Sequence, residues 1–356
     1  MTDAFRMDSH KLMFHPRRVA RWLEEGDVYP LYMEISPSGA CNHRCSFCAL
    51  DYLGYEPRFL DAALLMERLT ELGSLGVKSI MYGGEGEPLL HRDIAAIVNH
   101  TKRVGIDVAL TTNGTLLDAD LVERIADSLS WVRVSLNAAT PETYGALHRT
   151  GPDDFARVLG NISAAAAVVR RRGASCTVGV QMVLLPENAG EAEQLAVMVR
   201  DAGADYLAVK PYSQHHKSIT RRYEQLDYTP YLHLGERLER YSTGGFRVVF
   251  RAGAMGKMHR GDRGYGRCLA LPFWSYIDSA GTVWGCSSHL GDERFRFGSI
   301  ADSTFRDIWQ GERRRRSMRA VADGLDLAGC RTGCRMDEVN RYLWELAHPA
   351  PHVNFI

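Results

Sequence analysis

Apolar and polar positions along the chain alternate between two periods. Residues 31–35, 77–82, 106–111, 131–136, 176–185 and 206–210 are short, mostly apolar runs that read as strands. Between them, 61–75, 91–104, 118–128, 152–172 and 188–202 carry apolar residues at helical spacing. Gly105 and Gly203 stand where two of these helices end, a place that suits a left-handed C-cap. Six strands separated by helices predict parallel βα units with right-handed crossovers. Six units fall short of the eight that close a barrel. The pattern therefore predicts an α/β fold, a partial (β/α)6 barrel over 31–211. Active-site residues are expected at the C-terminal ends of its strands.

Outside this stretch the pattern changes. Residues 1–30 form an N-terminal extension with a short helix through Trp22. The polar segment 212–227 holds His215, His216 and Lys217 and reads as a solvated connector. A helix over 229–241 and a strand complete that connector to residue 251. From 252 to 340 the chain is Gly- and Arg-rich, with strand signals at 273–277 and 282–284. This predicts a small α+β second domain, followed by a tail over 341–356. His352 and Asn354 in that tail read as part of a frayed terminus. The basic run 313–316 reads as the solvated face of a helix.

Composition narrows the class. With 45% hydrophobic and 24% charged residues over 356 positions, wholesale disorder is excluded. Lys plus Arg equal Asp plus Glu at 43 each, so charge gives no reason to expect nucleic acid or a membrane as partner. The N-terminus lacks the apolar core of a secretory signal, and the most hydrophobic stretch, 164–169, is far short of the ~20 residues that span a bilayer. The expectation is a cytoplasmic protein whose eight cysteines stay reduced.

Cysteine spacing is the informative chemistry. Cys41, Cys45 and Cys48 follow the first predicted strand at spacings x3 and x2. A structural zinc site takes four tetrahedral ligands. Three thiolates on one short loop suit a [4Fe–4S] cluster with one iron left open. This loop, with Phe47 just before its last cysteine, resembles that of the radical S-adenosylmethionine (SAM) superfamily. The resemblance implies that the reduced cluster donates an electron to SAM bound on the open iron, giving a 5′-deoxyadenosyl radical that abstracts hydrogen. It also implies an external electron donor such as flavodoxin or ferredoxin.

Further landmarks of the family follow in order. After strand two stands Gly83-Gly84-Glu85-Gly86-Glu87-Pro88, similar to the family's Gly-Gly-Glu-Pro motif for the SAM amino group. The chain carries two acids there, and either Glu85 or Glu87 fits. The resemblance places further SAM contacts at Thr112 and Asn113 after strand three, and at Ser135 and Asn137 after strand four. Each of these also reads as ordinary turn chemistry. Gln181 and Met182, and Lys210 with Tyr212, Gln214 and His215, are candidates for the substrate cavity.

A second cysteine set closes the chain: Cys268, Cys286, Cys330 and Cys334. The first two flank a predicted hairpin with an Asp-Ser-Ala-Gly turn. Four thiolates fit either a filled cluster or a zinc site. The Cys-x12-Gly-x4-Cys hairpin looks like the start of the SPASM/twitch domain, which implies one auxiliary [4Fe–4S] cluster. Cys176 stands apart, as a small buried hydrophobe or a hydrogen-atom donor.

An auxiliary cluster can accept the electron of a carbon radical beside an ionised hydroxyl, leaving a ketone. The expected activity is a radical SAM oxidoreductase that dehydrogenates a sugar-like, aminocyclitol, aminoglycoside or nucleoside small molecule in natural-product or carbohydrate biosynthesis. Peptide-modifying relatives often carry an N-terminal recognition domain, for which 30 residues are too few. The rival outcomes are an epimerase or decarboxylase on a similar substrate and a ribosomal-peptide maturase. A non-catalytic Fe–S or zinc protein is the rival of another class. Oligomeric state is left open.

Overall fold

The structure is a computed structural model that describes residues 5–7, 9–258 and 263–355, the side chain of Asp323 excepted. Ten strands form one sheet: β1 (Tyr32–Ile35), β2 (Ser79–Tyr82), β3 (Asp107–Thr112), β4 (Leu129–Ser135), β5 (Thr177–Leu184), β6 (Tyr206–Pro211), β7 (Arg247–Phe250), β8 (Trp274–Ile277), β9 (Thr282–Trp284) and β10 (Arg296–Ser299). Their spatial order is β10-β9-β8-β1-β2-β3-β4-β5-β6-β7. Neighbours from β8 through β1 to β7 are parallel, and β9 and β10 add antiparallel. The ends do not pair with each other, so the barrel is open.

Side-chain parity explains the curl. Ile80, Val108, Leu110, Val132, Val134, Val178, Val180, Leu207 and Val209 are buried in one apolar core with the surrounding helices. Each such side chain contributes about 1.5–3 kcal/mol by leaving water. The opposite parity holds Met81, Thr111, Arg133, Ser135, Gln181 and Lys210, all only partly buried, which line the inside. The helices start where the sequence caps them. Asp61 accepts the Leu64 N–H at 2.8 Å, and Asp118 accepts that of Leu121 at 2.8 Å. Gly105 and Gly203 take the positive φ expected of them, +82° and +86°.

Several sequence expectations change. The parallel sheet does not stop at six strands: β7 joins beside β6, and β8 pairs with β1, Tyr32 opposite Trp274. Boundaries at 211 and at 252 would therefore both cut across one sheet. A helix over Pro141–His148, capped by Thr140, goes unseen in the pattern because it is short. The expected tail begins inside a helix, Asp337–Ala347, whose Leu343 packs with Trp22 and Phe273.

The segment 212–227 is only partly solvated. His215 is fully buried, and its ring stacks on Tyr52 at 4.9 Å. The Asp51 carboxylate accepts the N–H groups of Ile219 and Thr220, each at 2.9 Å, and clasps the segment down. Nor is the basic run fully solvated. Arg314 is buried, its guanidinium 3.8 Å from the Trp309 ring centroid and paired at both nitrogens with Asp27, at 2.6 and 2.7 Å. No helix among the described residues is long and apolar enough to cross a membrane.

Candidate active site

The loop after β1 carries the first cysteine set to the mouth of the barrel. Cys41, Cys45 and Cys48 lie close enough to perturb one another's charge. Burial pushes the Cys41 thiol up to about 11 and raises that of Cys45 well above its ordinary value, with neighbouring thiolates adding to both shifts. Three thiols so placed resist ionisation unless a cation accepts them. That is the chemistry of a metal site.

Residues far along the chain hold this loop. His148, at the end of the Pro141–His148 helix, is buried and its Nδ1 lies 3.4 Å from the Cys45 Sγ. Its Nε2 lies 3.2 Å from the Asn137 side-chain nitrogen, while the Asn137 Oδ1 accepts the Val183 N–H at 2.6 Å. That orients the amide, so Asn137 donates to Nε2, and Nδ1–H is left to donate to the sulfur. Burial lowers the His148 pKa to about 3, consistent with a neutral ring of one fixed tautomer. No local pattern marks His148, which lies 103 residues from Cys45. His43, Cys45 and His148 also present ligand atoms within 4.8 Å of one another, a second arrangement able to hold a metal.

The two acids after β2 are distinguished by their partners. The Glu87 carboxylate accepts Thr112 Oγ1 at 2.6 Å, the Asn113 N–H at 2.7 Å and the Leu89 N–H at 3.1 Å. It also perturbs Cys41 and Cys45. The Glu85 carboxylate instead accepts the Ser279 N–H at 2.8 Å, in the turn between β8 and β9. Glu87 thus ties the β2 and β3 loops beside the cysteines, and Glu85 ties the barrel to the hairpin. Asn113 donates to Asn42 at 2.7 Å, completing the link to the cysteine loop.

Gly84 has φ +113°, and a Cβ there would sit 2.1 Å from the buried Tyr276 hydroxyl. Gly84→Ala is therefore expected to displace this loop and weaken SAM binding by about tenfold or more. Equilibrium dialysis with labelled SAM reads it; unchanged affinity would mean that the loop does not touch SAM.

The remaining candidates divide. Ser135 and Lys210 sit on the inner parity of their strands, near the mouth. The Phe47 ring lies 5.6 Å from that of His148 and packs beside Leu147 and Tyr212. The Asn137 amide is committed to Val183 and His148. Gln214 Oε1 and His215 Nε2 are buried without a hydrogen-bond partner among the described residues. Met182 turns outward into the core. Cys176 does not suit a hydrogen-atom donor: it precedes β5 at the N-terminal end of the barrel, packed in the helix-facing core. Burial pushes its thiol up to about 12.

The second set assembles from three places. Cys268 and Cys286 flank the β8–β9 hairpin, and Cys330 and Cys334 come from the loop before the last helix. Charge on Cys268, Cys330 and Cys334 perturbs other members of the set. Asn340 fixes the Cys268 segment by accepting the N–H groups of Leu269 and Ala270 at 2.7 and 2.9 Å. Arg263 donates to the Cys330 carbonyl at 2.8 Å. Four partly buried thiols that perturb one another are the donor set of a metal cluster with no vacant position.

Comparison with known proteins follows the two cysteine sets. Residues 35–199 match the profile of the radical SAM superfamily, and 268–335 match that of the SPASM iron–sulfur cluster-binding domain. A GTP 3′,8-cyclase of Chlorobaculum tepidum is 35% identical over 120 residues, 33% of this chain and 36% of that protein. The chain spans about a third to a half of the lengths of the cyclases it matches. The mycofactocin maturase MftC of Mycobacterium tuberculosis is 24% identical over 339 residues, 89% of this chain and 81% of that protein. Among solved structures, Streptococcus suis SuiB bound to S-adenosylmethionine shares the fold, with a TM-score of 0.65 at 20% identity, over 85% of this chain and 70% of that one. The chain belongs to the radical SAM superfamily and carries a C-terminal SPASM domain, with [4Fe–4S] clusters and SAM as its cofactors.

Proposed function

We propose that this chain is a radical SAM oxidoreductase that abstracts a hydrogen atom from a polar small molecule held inside the barrel. Cys41, Cys45 and Cys48 would hold the SAM-binding cluster, and Cys268, Cys286, Cys330 and Cys334 the auxiliary one. The bound cofactors supply a 5′-deoxyadenosyl radical and a one-electron acceptor; the chain supplies position and enclosure. An alcohol would leave as a ketone, having lost a hydrogen atom to 5′-deoxyadenosine, a proton to a base, and one electron. A flavodoxin or ferredoxin would supply the reducing electron.

The observation that carries this reading is the polar inner face of the barrel, where Ser135, Gln181 and Lys210 stand on the inward parity of β4, β5 and β6. Just beyond β6, Gln214 Oε1 and His215 Nε2 are buried without a hydrogen-bond partner among the described residues. Buried hydrogen-bonding atoms left unpaired are costly unless a ligand satisfies them. At the other end of the barrel, the Phe5 ring lies 4.8 Å from that of Tyr206.

Ribosomal-peptide maturation is the second reading, favoured by the match to the mycofactocin maturase along most of the chain. Reduced enzyme incubated with candidate substrates separates them. Stoichiometric 5′-deoxyadenosine with a product two mass units lighter than a sugar-like substrate is the expected result. The same signature on a precursor peptide alone would establish the second reading, and an unchanged mass with solvent deuterium incorporated would establish epimerisation.

A further inference from the structure

We propose that His148 is a positioning residue for the first cysteine set, whose Nδ1–H donates to the Cys45 sulfur and raises the reduction potential of the cluster held there. This rests on the assignment of Cys41, Cys45 and Cys48 to the SAM-binding cluster and adds what sets the ease of its reduction.

The donor is built from behind. The Asn188 side chain donates to the Asn137 carbonyl at 2.8 Å and to that of Val183 at 2.9 Å. Asn137 Oδ1 accepts the Val183 N–H at 2.6 Å, so its NH2 faces the His148 Nε2 at 3.2 Å. An amide NH2 only donates, and Nε2 must accept. The proton of the neutral ring therefore sits on Nδ1, 3.4 Å from the Cys45 Sγ. The ring itself is clamped. It stacks on Tyr144 at 4.1 Å, and the Phe47 and His43 rings meet it edge to face at 5.6 and 5.3 Å. Only 1% of His148 is exposed, so water does not compete for the donor.

The side chain is not needed to hold the loop. The His148 carbonyl accepts the Arg44 N–H at 3.1 Å, and the Leu147 carbonyl accepts that of Ser46 at 2.8 Å. Two backbone bonds thus pin both flanks of Cys45 to the end of the Pro141–His148 helix. A substitution at 148 leaves both groups in place. What the imidazole adds is a dipole aimed at the sulfur.

Ligand atoms of His43, Cys45 and His148 lie within 4.8 Å of one another, but the same amide argues against His148 as a ligand. A metal on Nδ1 would move the proton to Nε2, against the Asn137 NH2. The ring is therefore set to support the sulfur and not to replace it. Negative charge on a thiolate ligand grows when its cluster is reduced, and a hydrogen bond to that sulfur favours the reduced form. In a buried site the effect is larger than in water.

The test is an anaerobic redox titration of the reconstituted enzyme, followed by spin resonance. The first cluster is identified as the one whose signal changes on adding SAM, and its midpoint is then read without SAM. The auxiliary cluster is the internal control. His148→Leu removes the donor at similar volume, and His148→Gln restores one through its amide. His148→Leu should lower the midpoint by about 59 mV or more, a tenfold shift of a one-electron equilibrium, and leave the auxiliary midpoint unmoved. His148→Gln should recover most of that shift. Should His148→Leu fail to take up iron, His148→Met is read instead, flexible and also without a donor. An unmoved midpoint in a loaded donorless variant overturns the proposal. So does an equal fall in His148→Gln, an equal fall at the auxiliary cluster, or loss of the first cluster from all three variants, each of which gives His148 a structural role. If the wild type itself showed no SAM-responsive signal, the assignment of the three cysteines would fail first, and this proposal with it.

Discussion

Cys45→Ala should abolish reductive cleavage of SAM, by about a thousandfold or more, and lower iron from about eight to about four atoms per chain. Cys45 is the member of the first set on which the structure spends most. Its sulfur faces the buried His148, whose other nitrogen is held by Asn137, itself anchored on β5. Removing the sulfur leaves the imidazole donor with no acceptor. Cys286→Ala is the matched control. It should lose a similar amount of iron yet still form 5′-deoxyadenosine, with little ketone product. Iron analysis and chromatography of the nucleoside read both variants. If Cys45→Ala cleaved SAM at the normal rate, the assignment of the first loop would be wrong.

Glu87→Gln should weaken SAM binding by about ten- to a hundredfold and remove one pH dependence of stability. Both carboxylate oxygens of Glu87 accept hydrogen bonds, two at Oε1 and one at Oε2. An amide must turn its NH2 toward one set of these donors, a loss of about 2–4 kcal/mol at the junction of the two loops. Burial raises the Glu87 pKa from 4.5 to about 7 in the cofactor-free protein. The native state therefore holds this proton more tightly than the unfolded chain does. The associated stability is present below pH 4.5 and is lost as pH rises to about 7. Denaturant midpoints between those pH values should fall in the wild type and fall less steeply in Glu87→Gln. Glu85→Gln makes the contrast, because its carboxylate engages the hairpin turn at Ser279.

What could be read in advance was what lies close in sequence. The spacing of Cys41, Cys45 and Cys48 fits on one loop, and the strand–helix rhythm is set by neighbours a few residues apart. The same holds for the Asp61 and Asp118 caps. What could not be read depends on distant partners. His148 meets Cys45 across 103 positions, and Arg314 meets Asp27 across 287. A run of arginines carries no sign that one of them stacks on Trp309. The different partners of Glu85 and Glu87 likewise show only in the positions of Ser279 and Asn113. Cys176 shows the reverse case: its place beside a strand was legible, but which end and which face of the barrel it occupies was not.

The pairing of β8 with β1 has a further consequence. It makes the two sulfur-rich centres parts of one continuous backbone ladder, reinforced by the Glu85 bond to the turn beyond β8. Their spacing is then a constant of the fold, like that of two rivets in one plate. Electron exchange between them would await no swing of a hinge. Its rate would be set by what fills the space between, so that occupancy of the lumen becomes the natural gate.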